Sequence, residues 1–99
     1  MAPGRREVAV TVKVIGDLRR FAPADVLAIQ GSGCTVADAV AELVRRNPLL
    51  QEQVFDREGR MHYATVLMLD GRAAAWPRDR ETAIGDGGEL VLTRFHSGG

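Results

Sequence analysis

Along residues 8–14 apolar and less apolar side chains alternate: Val8, Val10, Val12 and Val14 are interleaved with Ala9, Thr11 and Lys13. A period of two is that of a half-buried strand. Gly16-Asp17 breaks the alternation, Leu18 and Phe21 are placed to pack under the connection, and Pro23 marks its end. Val26 to Ile29 reads as a second strand, so the first two strands are expected to form a hairpin with a loop of several residues. After the turn Gly31-Ser32-Gly33 the period changes. Val36, Val40, Leu43 and Val44 fall on one helical stripe, and Ala37, Ala39 and Ala41 favour helix. Thr35 followed by Asp38 has the form of a capping box with Asp in place of Glu. Asn47-Pro48 stops the helix, because proline disfavours helical geometry in the residue before it, and Arg45 and Arg46 sit at its negative end.

Leu49, Leu50, Val54 and Phe55 suggest a short helical turn tucked against the core, followed by a polar loop from Asp56 to Met61 around Gly59. Thr65 to Leu69 is predicted as a third strand, whose nearly continuous apolar run suggests burial on both faces. Asp70-Gly71 is a hairpin turn, and Arg72 to Trp76 is the expected return strand, closed by Pro77. Arg78 to Thr82 is charged and solvated. Ile84 returns to the core, and Asp86-Gly87-Gly88 turns the chain into a final strand, Glu89 to Phe95. Strands on both sides of one main helix make an α+β pattern, a mixed sheet of four to five strands with the helix on one face. The helical crossover requires at least one parallel pairing. This order fits the β-grasp (ubiquitin-like) fold, with the first and last strands parallel at the centre.

Composition narrows the functional classes. The chain has 99 residues, with thirteen acidic and thirteen basic side chains. That length suits one core, and the balance gives no basic excess for nucleic acid or an anionic membrane. Only Lys13 among the basic residues is a lysine, and Cys34 is the sole cysteine. A lone thiol excludes an internal disulfide and a thiolate metal cluster and fits a reducing cytoplasm. Residues 1–6 lack the apolar segment of a secretory signal, and no apolar run approaches a membrane span. The expected organisation is a flexible N-terminus over residues 1–6, a β-grasp domain over 7–95 and a flexible diglycine tail over 96–99.

The chemistry-bearing feature is that tail. A C-terminal Gly98-Gly99 reacts only through its own carboxylate, and without Cβ atoms it is thin enough to thread a narrow cleft. There the carboxylate can be activated, for example as an acyl-adenylate, and passed to a nucleophile. Other candidates carry less. His96 either contacts an adenylating enzyme or is an exposed tail residue. With His62 as the only other histidine, no metal site is expected, since ligand sets need three or four donors. Cys34, beside the helix start, either has a lowered pKa or is a plain turn thiol; the plain reading is preferred, because no His/Asp partner accompanies it for nucleophilic catalysis. Phe95 either anchors a partner or caps the core. Arg94 either pairs with an acidic groove on a partner or solvates the strand end. Trp76 reads as packing at a strand end, and no helix follows Gly85 to Gly88 to make a phosphate loop.

Val8 to Val14, the capped helix from Thr35, the stretch Ala83-Ile84-Gly85-Asp86-Gly87-Gly88-Glu89-Leu90-Val91 and the ending Gly98-Gly99 together resemble the ubiquitin-like sulfur carriers of the MoaD/ThiS family, over residues 8–99. Phe55-Asp56-Arg57-Glu58-Gly59-Arg60 before a strand is similar to the longer, CysO-like members. Gly88 stands where the family commonly has an acid, and Arg94-Phe95-His96-Ser97 is more polar and bulky than the usual tail. The resemblance implies a carrier with no catalytic residue, no metal and no bound cofactor. An ATP-dependent, ubiquitin-activating-like adenylyltransferase adenylates Gly99; a persulfide or rhodanese-type donor supplies sulfur; a synthase accepts it from the thiocarboxylate. Gly98, Ser97 and His96 thread into the partner enzyme, with Phe95 and Arg94 as contact candidates. Neither nucleic acid nor membrane is implied. Two alternatives stay open: a protein modifier conjugated through Gly99 to lysines, and a non-covalent β-grasp interaction module. The acceptor is open as well, among a molybdopterin precursor, thiazole, a cysteine precursor, thiolated RNA and a thiosugar.

Overall fold

A computed structural model describes residues 9–31 and 33–95. The expectations for residues 1–6, for Val8, for Ser32 in its turn and for the tail 96–99 lie outside the described residues. The elements are β1 (Ala9–Val14), a 3-10 helix (Gly16–Phe21), β2 (Val26–Gln30), α1 (Val36–Arg46), α2 (Leu50–Val54), β3 (Thr65–Leu69), β4 (Arg72–Ala74) and β5 (Glu89–Arg94). They form a five-stranded sheet in the order β2-β1-β5-β3-β4. β1 and β5 are parallel neighbours, with Val12 opposite Leu90 and Val14 opposite Leu92. The other pairings are antiparallel. The first and last strands therefore lie side by side at the centre of a mixed sheet, as the α+β, β-grasp reading requires.

The alternation of β1 is realised in burial. Val10, Val12 and Val14 are buried and the residues between them half-buried. β5 repeats the pattern with Leu90 and Leu92. These side chains pack in one core with Val36, Ala39, Val40 and Leu43 of α1 and Leu50 and Val54 of α2. Burying each Val or Leu contributes about 1.5–3 kcal/mol relative to exposure, so the central strand pair and α1 carry much of the fold. The capping box at Thr35 is formed: the Thr35 hydroxyl accepts from the Asp38 N–H at 3.1 Å, and the Asp38 carboxylate accepts from the Thr35 N–H at 3.0 Å. At Asp70-Gly71 both residues have positive φ, 51° and 83°, which closes the β3–β4 hairpin in two residues.

The structure corrects several details. β3 is not buried on both faces; only Leu67 is fully buried. Its apolar run reads as a central strand, but the core lies on one side of the sheet, and Val66 and Met68 alternate to the other. On α1, Val44 is only half-buried and Ala39 joins the buried stripe. Leu49 is exposed. β4 ends at Ala74, and Trp76 packs edge-on against Phe55 with ring centroids 5.8 Å apart.

Asn47 does more than stop α1. It is the one polar residue among those described that is buried. Its amide donates to the Ala24 carbonyl at 2.9 Å and to the Leu43 carbonyl at 3.0 Å, and its side-chain oxygen accepts from the Ala24 N–H at 2.9 Å. One side chain thus satisfies both backbone groups of Ala24 and fastens the loop before β2 to the end of α1. Gly88, which departs from the family's usual acid, has a local reason: a Cβ there would meet the Ile84 side chain at 2.8 Å and the Gly85 carbonyl at 2.9 Å.

Candidate functional site

The site is the end of β5, from which residues 96–99 continue. β5 runs between β1 and β3, so its direction is set by hydrogen bonds on both sides. On the β3 side the ladder extends beyond the strand, with the Phe95 N–H donating to the Ala64 carbonyl at 3.0 Å. On the β1 side the Ile15 N–H donates to the Leu92 carbonyl at 3.0 Å, and the Thr93 hydroxyl donates to the Ile15 carbonyl at 3.1 Å. The chain then turns at Gly16, whose φ is +74°. A Cβ at Gly16 would stand 2.9 Å from the Thr93 hydroxyl oxygen, so both the conformation and the space call for glycine.

Arg94 is held by other elements of the same chain. Its Nη2 lies 2.6 Å and its Nε 3.0 Å from Asp17 Oδ2, and its Nη1 donates to Gln53 Oε1 at 3.1 Å. The guanidinium also lies over the Phe21 ring, 6.0 Å from its centroid. The side chains of Arg94 and Asp17 are only 23% and 24% exposed, which separates this pair from the solvated ion pairs elsewhere on the surface. A charge-assisted, forked arginine–carboxylate contact of this kind is stronger and more directional than a surface ion pair. A partner that took Arg94 into an acidic groove would have to break it.

Phe95, by contrast, is 47% exposed and meets Tyr63, 85% exposed, edge-on at 6.0 Å between ring centroids. A shallow depression of about 230 Å³, lined by residues including Gln53, His62, Tyr63 and Arg94, lies beside them.

His62 points to the Glu52 carbonyl, with Nε2 at 3.2 Å. Among the described residues, no group of three His, Cys, Asp or Glu side chains is placed to hold a metal. Cys34 is buried, and its thiol pKa is raised, first by burial and then by the Asp38 carboxylate. The alternative of a thiol activated by the helix start is therefore set aside. In Gly85 to Gly88 the backbone N–H groups of Gly87 and Gly88 are spent on the Ala9 and Gly85 carbonyls, which leaves them unavailable for a phosphate. His96, Ser97, Gly98 and Gly99 lie outside the described residues. The sequence marks Asp17 only as a strand break, and Gln53 and Tyr63 not at all. Asp17 stands 77 positions from Arg94 and Gln53 41, beyond any local period; Tyr63, an aromatic in a polar stretch, was the one signal available.

This arrangement, a mixed five-stranded sheet with parallel outermost-in-sequence strands at its centre and one main helix, defines a ubiquitin-like β-grasp protein. No protein-family model matches the sequence, and no curated protein does. Among solved structures, the chain is similar to SAMP1, a small archaeal modifier protein, from Haloferax volcanii: 30% identical, covering 92% of this chain and 99% of that one, with a TM-score of 0.77. It is also similar to a putative molybdopterin converting factor, subunit 1, from Pyrococcus furiosus, at 25% identity, 88% and 97% coverage and a TM-score of 0.64. A chain of the Amycolatopsis orientalis BexX/CysO complex shares the fold, at 20% identity, 92% and 100% coverage and a TM-score of 0.67. The chain belongs to the MoaD/ThiS family of ubiquitin-like proteins, whose members include sulfur carriers and modifiers. No helix among the described residues is long and apolar enough to cross a membrane.

Proposed function

We propose that this protein is a sulfur carrier that works through the carboxylate of Gly99 and performs no catalysis itself. The observation that supports this most is the anchoring of the central strand that leads towards the tail: its last residue, Arg94, is fixed by Asp17 and Gln53. A short tether on a rigid base can be presented to an enzyme's interior while the domain stays outside.

The chemistry follows from the unreactivity of a carboxylate. Attack of the Gly99 carboxylate on the α-phosphate of ATP, on a partner adenylyltransferase, releases pyrophosphate and leaves an acyl-adenylate. The terminal sulfur of a persulfide donor attacks the acyl carbon and AMP leaves. A thiol then cleaves the sulfur–sulfur bond, giving the thiocarboxylate and a disulfide on the donor side. The thiocarboxylate sulfur is a nucleophile for a sulfur-accepting synthase in a biosynthetic pathway such as those of molybdopterin, thiamin or cysteine. ATP is consumed by the partner enzyme and is not a resident cofactor here. Cytoplasmic residence accords with the single thiol.

Intact mass spectrometry of the protein recovered from its native host is the test. The carrier reading expects a species heavier by the difference between a sulfur and an oxygen atom, mapped to the C-terminus. The likeness to a protein named a modifier favours conjugation as the second reading. Conjugates with Gly99 joined to lysine side chains, without the thiocarboxylate, would establish that reading instead.

A further inference from the structure

β1 leaves the sheet before β5 does. The parallel register of the two strands ends at Val14 opposite Leu92, followed by one bond from the Ile15 N–H to the Leu92 carbonyl. On the other side β3 stays in register as far as Thr65 opposite Arg94, and the Phe95 N–H adds a bond to the Ala64 carbonyl. Thr93 and Arg94 thus have β3 as their one strand neighbour among the described residues. On the side that β1 has left, side chains take over. The Thr93 hydroxyl reaches back to the Ile15 carbonyl, and the Arg94 guanidinium spans Asp17 of the 3-10 helix and Gln53 of α2. Arg94 continues the alternation of Leu90 and Leu92, so an apolar side chain would suit its place on the core face. Stability alone does not ask for an ion pair there, since well-packed apolar residues often replace a buried pair without loss. What a forked arginine–carboxylate contact adds is direction.

We infer that Asp17 and Gln53 are positioning residues for the activation of the terminal carboxylate: through Arg94 they set the direction in which the chain leaves β5, and with it where Gly99 arrives. This rests on the carrier reading above. The five residues after Arg94 span at most about 18 Å when fully extended. Over a lever of that length, a tilt of about 10° at the root displaces the tip by about 3 Å. A misplacement of ~1 Å can already cost about a hundredfold in rate. The side chains of Arg94 and Asp17 are each about three-quarters covered, 23% and 24% exposed, by neighbours in their own chain. Releasing them therefore changes the aim of the strand end more than the surface that a partner meets. The loss belongs in kcat, which reads the arrival of the carboxylate, and not in KM.

The experiment is ATP–pyrophosphate exchange with the adenylating enzyme of the same genome, using the full chain as the varied substrate. Asp17→Ala, Gln53→Leu and the double variant are compared with Val40→Ala, which opens the core on α1 and leaves the Arg94 contact alone. All are assayed at a temperature where thermal melts show each variant folded. Expected is a kcat lowered about tenfold or more by Asp17→Ala and by the double variant, and less by Gln53→Leu, which removes one bond of the fork. KM should stay within about twofold, and Val40→Ala should keep the wild-type kcat although its melting temperature falls. A wild-type kcat for the folded double variant overturns the inference while leaving the carrier reading intact. So does a raised KM with kcat unchanged, which would place Asp17 and Gln53 against the enzyme itself. An equal fall of kcat in Val40→Ala overturns it too, by tracing the effect to general loosening of the fold. If the wild-type chain supports no exchange at all, the carrier reading falls and the positioning role falls with it.

Discussion

Arg94 and Asp17, 77 positions apart in the chain, meet at 2.6 Å at the point where the last strand ends. Asp17 belongs to the 3-10 helix that leaves β1, and Gln53, which takes a further guanidinium N–H, belongs to α2. The contact therefore joins the exits of both central strands to a helix on the core side. It makes the base of the tail part of the folded body and does not leave it to fray as strand ends commonly do.

Breaking this pair is expected to destabilise the protein by more than a surface ion pair would. Arg94→Ala leaves a partly buried carboxylate without its strongest partner, and Asp17→Ala leaves a partly buried guanidinium. Each should cost about 1–3 kcal/mol. The double variant should cost less than the sum of the singles, because contacting charges couple. Urea denaturation of the four proteins in the cycle measures this; additive effects would mean the pair contributes nothing of its own.

Asn47→Ala is expected to be costlier than its place at a helix end suggests. It strands the N–H and carbonyl of Ala24 that Asn47 satisfies. A buried unsatisfied group costs about 1–3 kcal/mol, so a loss of about 2–4 kcal/mol is expected. For a domain of this size each kcal/mol lowers Tm by about 4–8 °C, so a fall of roughly 10 °C or more in a thermal melt is the outcome to look for.

The tail makes its own prediction under the carrier reading. One alanine added after Gly99 displaces the carboxylate by about 3.3–3.6 Å. Since ~1 Å of misplacement can cost about a hundredfold in rate, adenylation should be abolished. Gly98→Val should fail for another reason, by adding bulk and restricting the backbone where the tail threads. Both variants are expected to keep the wild-type melting temperature, because chain ends commonly make few contacts to lose, and a thermal melt of each checks this. Pyrophosphate exchange at the wild-type rate in the extended protein would remove the central support for the carrier.

Cys34 should be a slow thiol. Its pKa is raised by burial and by Asp38, so at pH 7–8 less of it is thiolate than in a free cysteine, whose pKa is about 8.5. Because the folded pKa lies above the unfolded one, any pH dependence from this group favours the fold below the unfolded pKa and is lost as pH rises through the folded value. Alkylation by iodoacetamide at pH 8 should be slower in the native protein than in urea; equal rates would show that the thiol is not shielded.

The strands and the main helix were legible locally because each has a local cause, whereas the 3-10 helix Gly16–Phe21 was read only as a connection. Val10, Val12 and Val14 at period two make β1, a threonine and an aspartate three apart start α1, and an aspartate–glycine pair with positive φ turns β3 into β4. The proposal that Gly98-Gly99 carries the chemistry came from the sequence alone. Tertiary structure alone decided which apolar runs are buried on one face and which on two. It moved β3 to a half-exposed state, because the core lies on one side of the sheet. It also decided what surrounds the tail. Whether Arg94 meets a partner, water or Asp17 depends on where the 3-10 helix packs. Whether Phe95 caps the core or stands exposed beside Tyr63 depends on the register of β5 against the residues before β3. These are distances between residues far apart in sequence, set by the sum of packing over the whole sheet, and no periodicity along the chain encodes them one by one.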